Sequence, residues 1–476
     1  MGHERTIAAN TAWLLGQRVL MSVISLVVTA LVARYLGTVQ YGLLLLMLSY
    51  SVLFTPLASL GLRPYSVRII AGDRERARSV LEENLALRLP LSLLAILAAV
   101  VWIRFESNLP VELLYVLCAQ LLVNTISYCF IDALYGIESI KSVASVMAVS
   151  GIVVQSTCVA AIIANLGLEG VAWSYVAGST VALAMAARAC RRQVGAFRLF
   201  RVRREHLAHI AGSSTFFFQS VVATIRARID VVLLTSMLGS HAAGLYGSSQ
   251  ALVQRLDLIH DGLSTALFPR VAGLHGKSDR ELAHLVRGAV KVVLVISTPI
   301  AVGLWAVGDA IVRAVFGADF QEAGVILAIF GIGVPFNFVI GVLFNVLSAM
   351  RLQNTVFWVV AGGTVISVAG VTIGILTLGT AGAAIGFVVG QVAICVALAV
   401  VYLRHMGAMA RARDLVRIAL ANAVMGAGLW MAADAPLVVK IGLSVVIYSG
   451  AVIVSGVVSL TLLKSVLSGR ARPDAA

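Results

Sequence analysis

The chain has 476 residues, of which 60% are hydrophobic and only 12% charged, and its mean hydropathy is +0.98. That leaves too little polar surface for a water-soluble globule, which excludes a soluble enzyme or nucleic-acid-binding module and selects the polytopic membrane class. The net charge of +14 is therefore read by location along the chain rather than as a footprint for nucleic acid.

A spanning helix takes roughly 20 apolar residues. The first such run, Trp13–Ala33, is too long for a cleavable signal and has no small-residue cleavage site after it, so it is read as retained. Fourteen spans are predicted, near 12–33, 41–62, 86–104, 111–135, 142–164, 168–188, 212–236, 243–267, 288–308, 322–349, 355–378, 380–402, 415–433 and 439–463. The connecting segments are too short for a folded extramembrane domain. Of the 36 Lys and Arg, 28 fall in the N-terminal tail, the even-numbered loops and the C-terminal segment. Arg34, Arg104, Arg313 and Lys440 fall on the other side, and Arg18, Arg226, Arg228 and Arg255 lie inside spans. The asymmetry predicts an inner-membrane protein with both termini in the cytoplasm. Segments 63–88 and 270–291 read as amphipathic helices on the cytoplasmic surface, with Arg and Lys toward lipid head groups.

The chain also repeats itself. Leu36-Gly37-x4-Gly42-Leu43 recurs as Leu238-Gly239-x4-Gly244-Leu245 at an offset of 202. Asp73-Arg74-Glu75 recurs as Asp279-Arg280-Glu281 at 206, and Leu166-Gly167-x2-Gly170-x-Ala172-x5-Gly178 as Leu378-Gly379-x2-Gly382-x-Ala384-x5-Gly390 at 212. Six spans separate the copies, so both start on the same side of the membrane. The expected organisation is an N-terminal six-helix lobe (1–190), a basic cytoplasmic linker (191–209), a second six-helix lobe (210–404), and two extra spans with a tail (405–476). Parallel repeats of this kind bind substrate between the halves, near mid-membrane.

Polar side chains inside spans cost roughly 2.5–3.5 kcal/mol each when charged, so their placement is informative. Arg18, Ser22, Ser25 and Thr29 share one face of the first span, and Gln219, Ala223, Arg226 and Asp230 repeat that spacing in the seventh. Gln250, Gln254, Asp257 and Asp261 do so in the eighth, flanked by Arg255 and His260. Gln120, Asn124 and Ser127 lie in the fourth span, and Asn337, Asn345 and Ser348 in the tenth. Two readings stay open. The amides and hydroxyls are either glue between helices or the lining of a hydrated cavity, and Arg226 and Asp230 either neutralise each other or serve separately. Arg18 has no acid within a turn of its own helix. A lining of Arg, Gln and Asn suits a phosphate-bearing anion with many hydroxyls. Pro56, Pro299 and Pro335 break spans and allow bending, either for alternating access or as the ordinary proline content of membrane helices.

Catalytic signatures are absent from the sequence: there is no Walker A loop, HExxH, GxSxG or DxD pair in a soluble loop. Cys118, Cys129, Cys158, Cys190 and Cys395 are scattered, with no CxxC or Cys/His cluster, and read as small apolar filler. No metal or cofactor site is expected, and His241, His275 and His284 read as loop residues.

Arg34-Tyr35-Leu36-Gly37-x3-Tyr41-Gly42 after the first span resembles the opening signature of the polysaccharide-transporter, or O-antigen-type oligosaccharide flippase, family. Arg228-Ile229-Asp230, Leu238-Gly239, Ala243-Gly244-Leu245-Tyr246, Leu267-Phe268-Pro269 and Phe316-Gly317-Ala318-Asp319-Phe320 are similar to further family segments. The resemblance extends from the first span to about residue 400 and marks the multidrug/oligosaccharidyl-lipid/polysaccharide exporter superfamily. It implies an all-α fold of about fourteen spans, two lobes forming a V around a cationic cavity, and two added C-terminal helices. It also implies a flippase, not an enzyme, that moves a polyprenyl-diphosphate-linked oligosaccharide to the outer leaflet by alternating access. Membrane lipid surrounds such a protein, and a glycan polymerase or glycosyltransferase works beside it. The family's cavity arginines map onto Arg18 and onto Arg226, Arg228 and Arg255. A cation-coupled drug exporter is the alternative, with Asp230, Asp257 and Asp261 as ion-binding carboxylates; a peptidoglycan-precursor flippase is another. A polytopic glycosyl-transfer enzyme would need a long outer loop, and none is present.

Overall fold

A backbone amide in hydrocarbon has no water to bond, so a chain this apolar has to satisfy its peptide groups inside helices. In the computed structural model the described residues form thirteen α-helices and no strand. The structure describes residues 2–106, 109–197, 204–257, 259, 262, 271, 273–274 and 277–457, with side chains from Leu20 onward except at 106 and 204–211.

In chain order the helices are α1 (Gly2–Ser59), α2 (Leu62–Gly72), α3 (Ala77–Glu106), α4 (Val111–Gly136), α5 (Ile140–Ile163), α6 (Gly167–Gln193) and α7 (Arg204–Leu238). There follow α8 (Ser240–Gln254), α9 (Asp279–Phe316), α10 (Ala323–Ala349), α11 (Gln353–Met406), α12 (Ala412–Met431) and α13 (Leu437–Val454). Ten helical segments are long and apolar enough to cross a membrane. Two of them, in α1 and α11, each hold two of the expected spans and break at one glycine, Gly37 (φ 68°) and Gly379 (φ 64°). The ten do not include α7, which carries Arg226, Arg228 and Asp230, or α8, which is 15 residues long.

The repeat is visible in the backbone. Gly37 and Gly239, equivalent in sequence, both have positive φ, as do Gly167 and Gly379, conformations that favour glycine because it lacks a Cβ. The charged motif is shifted by one residue. Asp73 (φ −150°, ψ 101°) accepts from the Glu75 N–H, and its conformational counterpart is Ser278 (φ −151°, ψ 96°), which caps α9, rather than Asp279. Ser278-x-x-Glu281 is the start of a capping box.

The chain packs as two compact units, Met1–Ser248 with Val371–Ala383, and Ser249–Gly370 with Ala384–Ala476. In the first, Ile70, Leu81, Leu85, Phe130, Leu134 and Ala186 bury the faces of α2, α3, α4 and α6 against one another. The same unit holds two close approaches of α1 to the α7–α8 segment. A Cβ on Gly42 would run into the Ser240 carbonyl, and one on Gly244 into that of Thr38. Those four positions are two equivalent pairs of the repeat, so the contact is self-complementary, as at a two-fold interface. His241, expected in a loop, is in the first turn of α8, with its Nδ1 2.7 Å from Thr38 Oγ1. Likewise His284 lies in α9, and His275 is outside the described residues. About 38 Å away along α7, Ser213 Oγ donates to the Leu60 carbonyl at 2.8 Å, and Gly61 packs against the Phe217 amide.

In the second unit, Val290, Val293, Phe338, Leu343, Leu398 and Tyr402 form the core of α9, α10 and α11. α12 and α13 join it at a defect. Pro299 inside α9 has no N–H for the carbonyl four residues back, at Val295. The Tyr448 hydroxyl of α13 donates to that carbonyl at 2.9 Å. One residue away, Asn422 of α12 donates to Thr298 Oγ1 at 2.9 Å, and Lys291 pairs with Asp414 at 3.3 Å. Trp358, Trp430 and Val446 are largely exposed, as expected of faces turned to lipid.

Tyr448→Phe leaves the Val295 carbonyl without a donor, which should cost about 1–3 kcal/mol and lower the thermal midpoint of the solubilised protein. In a Pro299→Ala background the restored backbone N–H takes over that carbonyl, and the Tyr448→Phe penalty should largely disappear.

Candidate functional site

The polar stripes sit on helices of both units. In the first unit, Ser22, Ser25 and Thr29 are half-buried on α1, and Thr29 Oγ1 donates to the Ser25 carbonyl one turn back at 2.7 Å. Arg18 lies on the same helix, and its side chain is outside the described residues. On α4, Gln120 is 6% exposed, Ser127 is buried and Asn124 half-buried. Gln120 Oε1 and Ser127 Oγ have no hydrogen-bond partner among the described residues. Buried polar atoms without a partner carry a desolvation cost. On α7, Gln219 is exposed and Arg226 and Arg228 are half-buried.

Asp230 is buried and its carboxylate is engaged. Oδ1 accepts from the Val231 amide and Oδ2 from the Tyr246 hydroxyl, each at 2.8 Å. Hydrogen bonds to an ionised acceptor are among the stronger ones in proteins, and this pair ties the end of α7 to α8 beside the Gly244 contact. Both residues belong to the family-like segments Arg228-Ile229-Asp230 and Ala243-Gly244-Leu245-Tyr246 identified in the sequence, so the structure gives those segments a shared structural role.

In the second unit Gln254 is exposed and Arg255 half-buried. Two of the expected site residues meet there, where Asn337 Nδ2 of α10 donates to Asp257 Oδ1 at 3.0 Å. Asn345 turns its Nδ2 back onto the Gly341 carbonyl of its own helix at 2.8 Å. Asp261 and His260 lie outside the described residues. Among the described residues no group of three His, Cys, Asp or Glu could hold a metal ion.

The most deeply buried charge cluster in the first unit escapes sequence reasoning. Arg88 of α3 is 1% exposed, and its Nη2 donates to Asp132 Oδ2 of α4 at 2.8 Å. Arg63, the second residue of α2, brings its Nε within 3.2 Å of Oδ1 of the same carboxylate. Oδ1 nevertheless accepts no hydrogen bond, so the Arg63 N–H does not point at it and the link is a charge contact. The Arg63 guanidinium lies over the rings of Tyr128 and Tyr135, 5.5 and 5.6 Å from their centroids. The sequence places Arg63 and Arg88 on a cytoplasmic surface facing head groups. For Arg88 the structure differs: α3 begins at Ala77, earlier than the span expected from 86, and carries Arg88 three turns inside, where it is buried. The usable signal was Asp132 in an otherwise apolar run, which calls for a cation on another helix.

The signature residues also have local reasons. Tyr35 accepts the Gly167 amide on its hydroxyl at 3.0 Å. Gly317 (φ 95°) ends α9, and the rings of Phe316 and Phe320 close over it with centroids 5.6 Å apart.

A sequence profile of the family described as "Polysaccharide biosynthesis protein" matches residues 7–275. The chain is similar in structure to the lipid II flippase MurJ in an inward closed conformation, at 16% identity and a TM-score of 0.68, covering 92% of this chain and 97% of that one. It is similar to an inward-facing multidrug resistance MATE family transporter of the MOP superfamily at 15% identity and a TM-score of 0.57, covering 86% and 94%. For the Vibrio cholerae MATE transporter VcmN the figures are 16%, 0.51, 82% and 94%. At these identities the likeness is one of fold. No curated protein matches the chain by sequence.

Asp132→Ala leaves Arg88 buried and unpaired, and should destabilise the protein by about 3–5 kcal/mol. The double replacement Arg88→Met with Asp132→Leu removes both charges and should recover most of that loss in the same thermal melt.

Proposed function

The chain belongs to the polysaccharide biosynthesis protein family, and on that footing we propose that it is a flippase carrying a polyprenyl-diphosphate-linked oligosaccharide from the cytoplasmic to the outer leaflet of the inner membrane. It is a multi-pass membrane transporter by fold and family. Both termini are cytoplasmic on this reading, and the two six-helix repeats and the added pair α12–α13 are its working parts. A diphosphate cannot enter hydrocarbon unaided, so the protein supplies a hydrated, positive path for the head group while the lipid tail stays in the bilayer.

The observation that carries the reading is the state of the intramembrane acids. A cation exporter would use Asp230 and Asp257 to hold its ion. Here Asp230 accepts from Val231 and Tyr246, and Asp257 from Asn337. Beside them in the chain are arginines, with Arg226, Arg228 and Arg255 half-buried, and Asp261 lies outside the described residues. Ser22, Gln120, Asn124, Gln219 and Gln254 supply the hydroxyls and amides that sugar hydroxyls pair with. Arg18 joins them by its position on the α1 stripe. Asn345, whose donor is turned to its own backbone, contributes least. The paired contacts of α1 with α7–α8, near Gly42 and near Gly61, are the places where such a path closes at either end.

Lipid-linked sugars extracted from a deletion strain test the reading, with their leaflet assigned by lectin accessibility. Intact polyprenyl-diphosphate oligosaccharide should accumulate on the cytoplasmic face. A plasmid carrying Arg18→Ala should insert normally and fail to clear it. Normal glycan with raised sensitivity to cationic drugs would instead select the exporter reading, and stalled peptidoglycan precursor the lipid-precursor reading.

A further inference from the structure

We propose that Arg63 is a docking point for a phosphate-bearing lipid head group at the α2 end of α4, a site built by Asp132, Arg88, Tyr128 and Tyr135. The Arg63 guanidinium sits 3.2 Å from a fully buried carboxylate and over two tyrosine rings, so its position is fixed on three sides. Its side chain is nonetheless 48% exposed, and it donates no hydrogen bond to any described residue. An arginine has five N–H donors arranged in a fork that matches two phosphate oxygens. One that is oriented by charge and ring stacking with its donors uncommitted is pre-organised for an anion.

The charge balance points the same way. Asp132 is shared between Arg88 and Arg63. Arg88 is inside the unit, its Nε without a partner, and takes the shorter bond, so the cluster keeps one net positive charge on its exposed side. Asp132 lies four residues before the end of α4, about 6 Å from it. From there the same α4 face runs through Tyr128 to the half-buried Asn124, the next polar side chain along it.

The shared chemistry is a phosphate on a lipid, and two sources carry it: the polyprenyl diphosphate of the proposed substrate, which rests on the flippase reading, and an anionic bilayer lipid. The test uses the full chain in nanodiscs of phosphatidylcholine, titrated with radiolabelled geranylgeranyl diphosphate, and in parallel with phosphatidylglycerol doped into the disc and competed by spin label. Arg63→Gln should weaken one of the two at least tenfold, Arg63→Lys should retain part of the affinity, and Tyr128→Leu with Tyr135→Leu should weaken it several-fold. Loss confined to the diphosphate assigns the substrate as occupant. Loss confined to phosphatidylglycerol keeps the site and removes its support for the flippase reading. Unchanged binding of both in folded Arg63→Gln and Arg63→Lys overturns the proposal. If Arg18→Gln weakens the diphosphate in that case, the flippase reading survives it.

Discussion

Every polar atom of this chain that leaves the membrane surface has to find its partner inside the protein, because hydrocarbon offers none. That constraint explains why the described fold is helical throughout and why its exceptions are informative. Pro299 removes one backbone donor, and the protein answers with a tyrosine from α13. The added helices α12 and α13 are therefore attached at the point where α9 is weakest. Their attachment combines directional polar contacts through Tyr448, Asn422 and Asp414 with an apolar seam of Ile418, Met425 and Val452 against Leu294, Val295 and Val302.

The same constraint separates two kinds of buried charge. Asp230 accepts hydrogen bonds from its neighbour's amide and from Tyr246, which makes it part of the frame that joins α7 to α8. Asp132 holds one buried arginine firmly and a second, exposed one loosely. Removing either partner of a buried pair costs more than the pair contributes, so both carboxylates are difficult to vary, but only the second leaves a cation facing outward. The close approaches of α1 to α7–α8 are different again. They are made by glycine against backbone carbonyls, joined by Thr38–His241 at one end and Ser213–Leu60 at the other.

Much of the architecture is legible in sequence because membrane helices are read from length and apolarity alone. The glycine repeat is legible too, and its reason is physical: Gly37 and Gly239 occupy positive φ, and Gly42 and Gly244 admit a facing carbonyl. The periodic stripes are correctly seen as unusual, but period cannot say which members bond within the protein. Asn345 bonds to its own helix and Asn337 to Asp257. The Arg63–Arg88–Asp132 cluster is invisible to periodicity because its members come from three helices. Assigning Arg88 to a surface segment followed from reading α3 by its apolar run instead of from its start at Ala77.

An arginine that handles a lipid phosphate during transport has to satisfy opposed demands. A bare guanidinium in a low-dielectric site binds a diphosphate too strongly to release it, and transport needs weak, multiple stations. An arginine fully neutralised by a carboxylate binds nothing. Arg63 lies between these limits. Asp132 takes part of its charge without taking its donors, since its nearer oxygen is close by but accepts no hydrogen bond. The tyrosine faces fix the plane of the fork and contribute no competing acceptor along its edge. Affinity is thereby moderated by a residue that is itself held by Arg88, deep in the unit. The strength of the exposed station is thus set from the interior of the fold, where lipid and salt have least access.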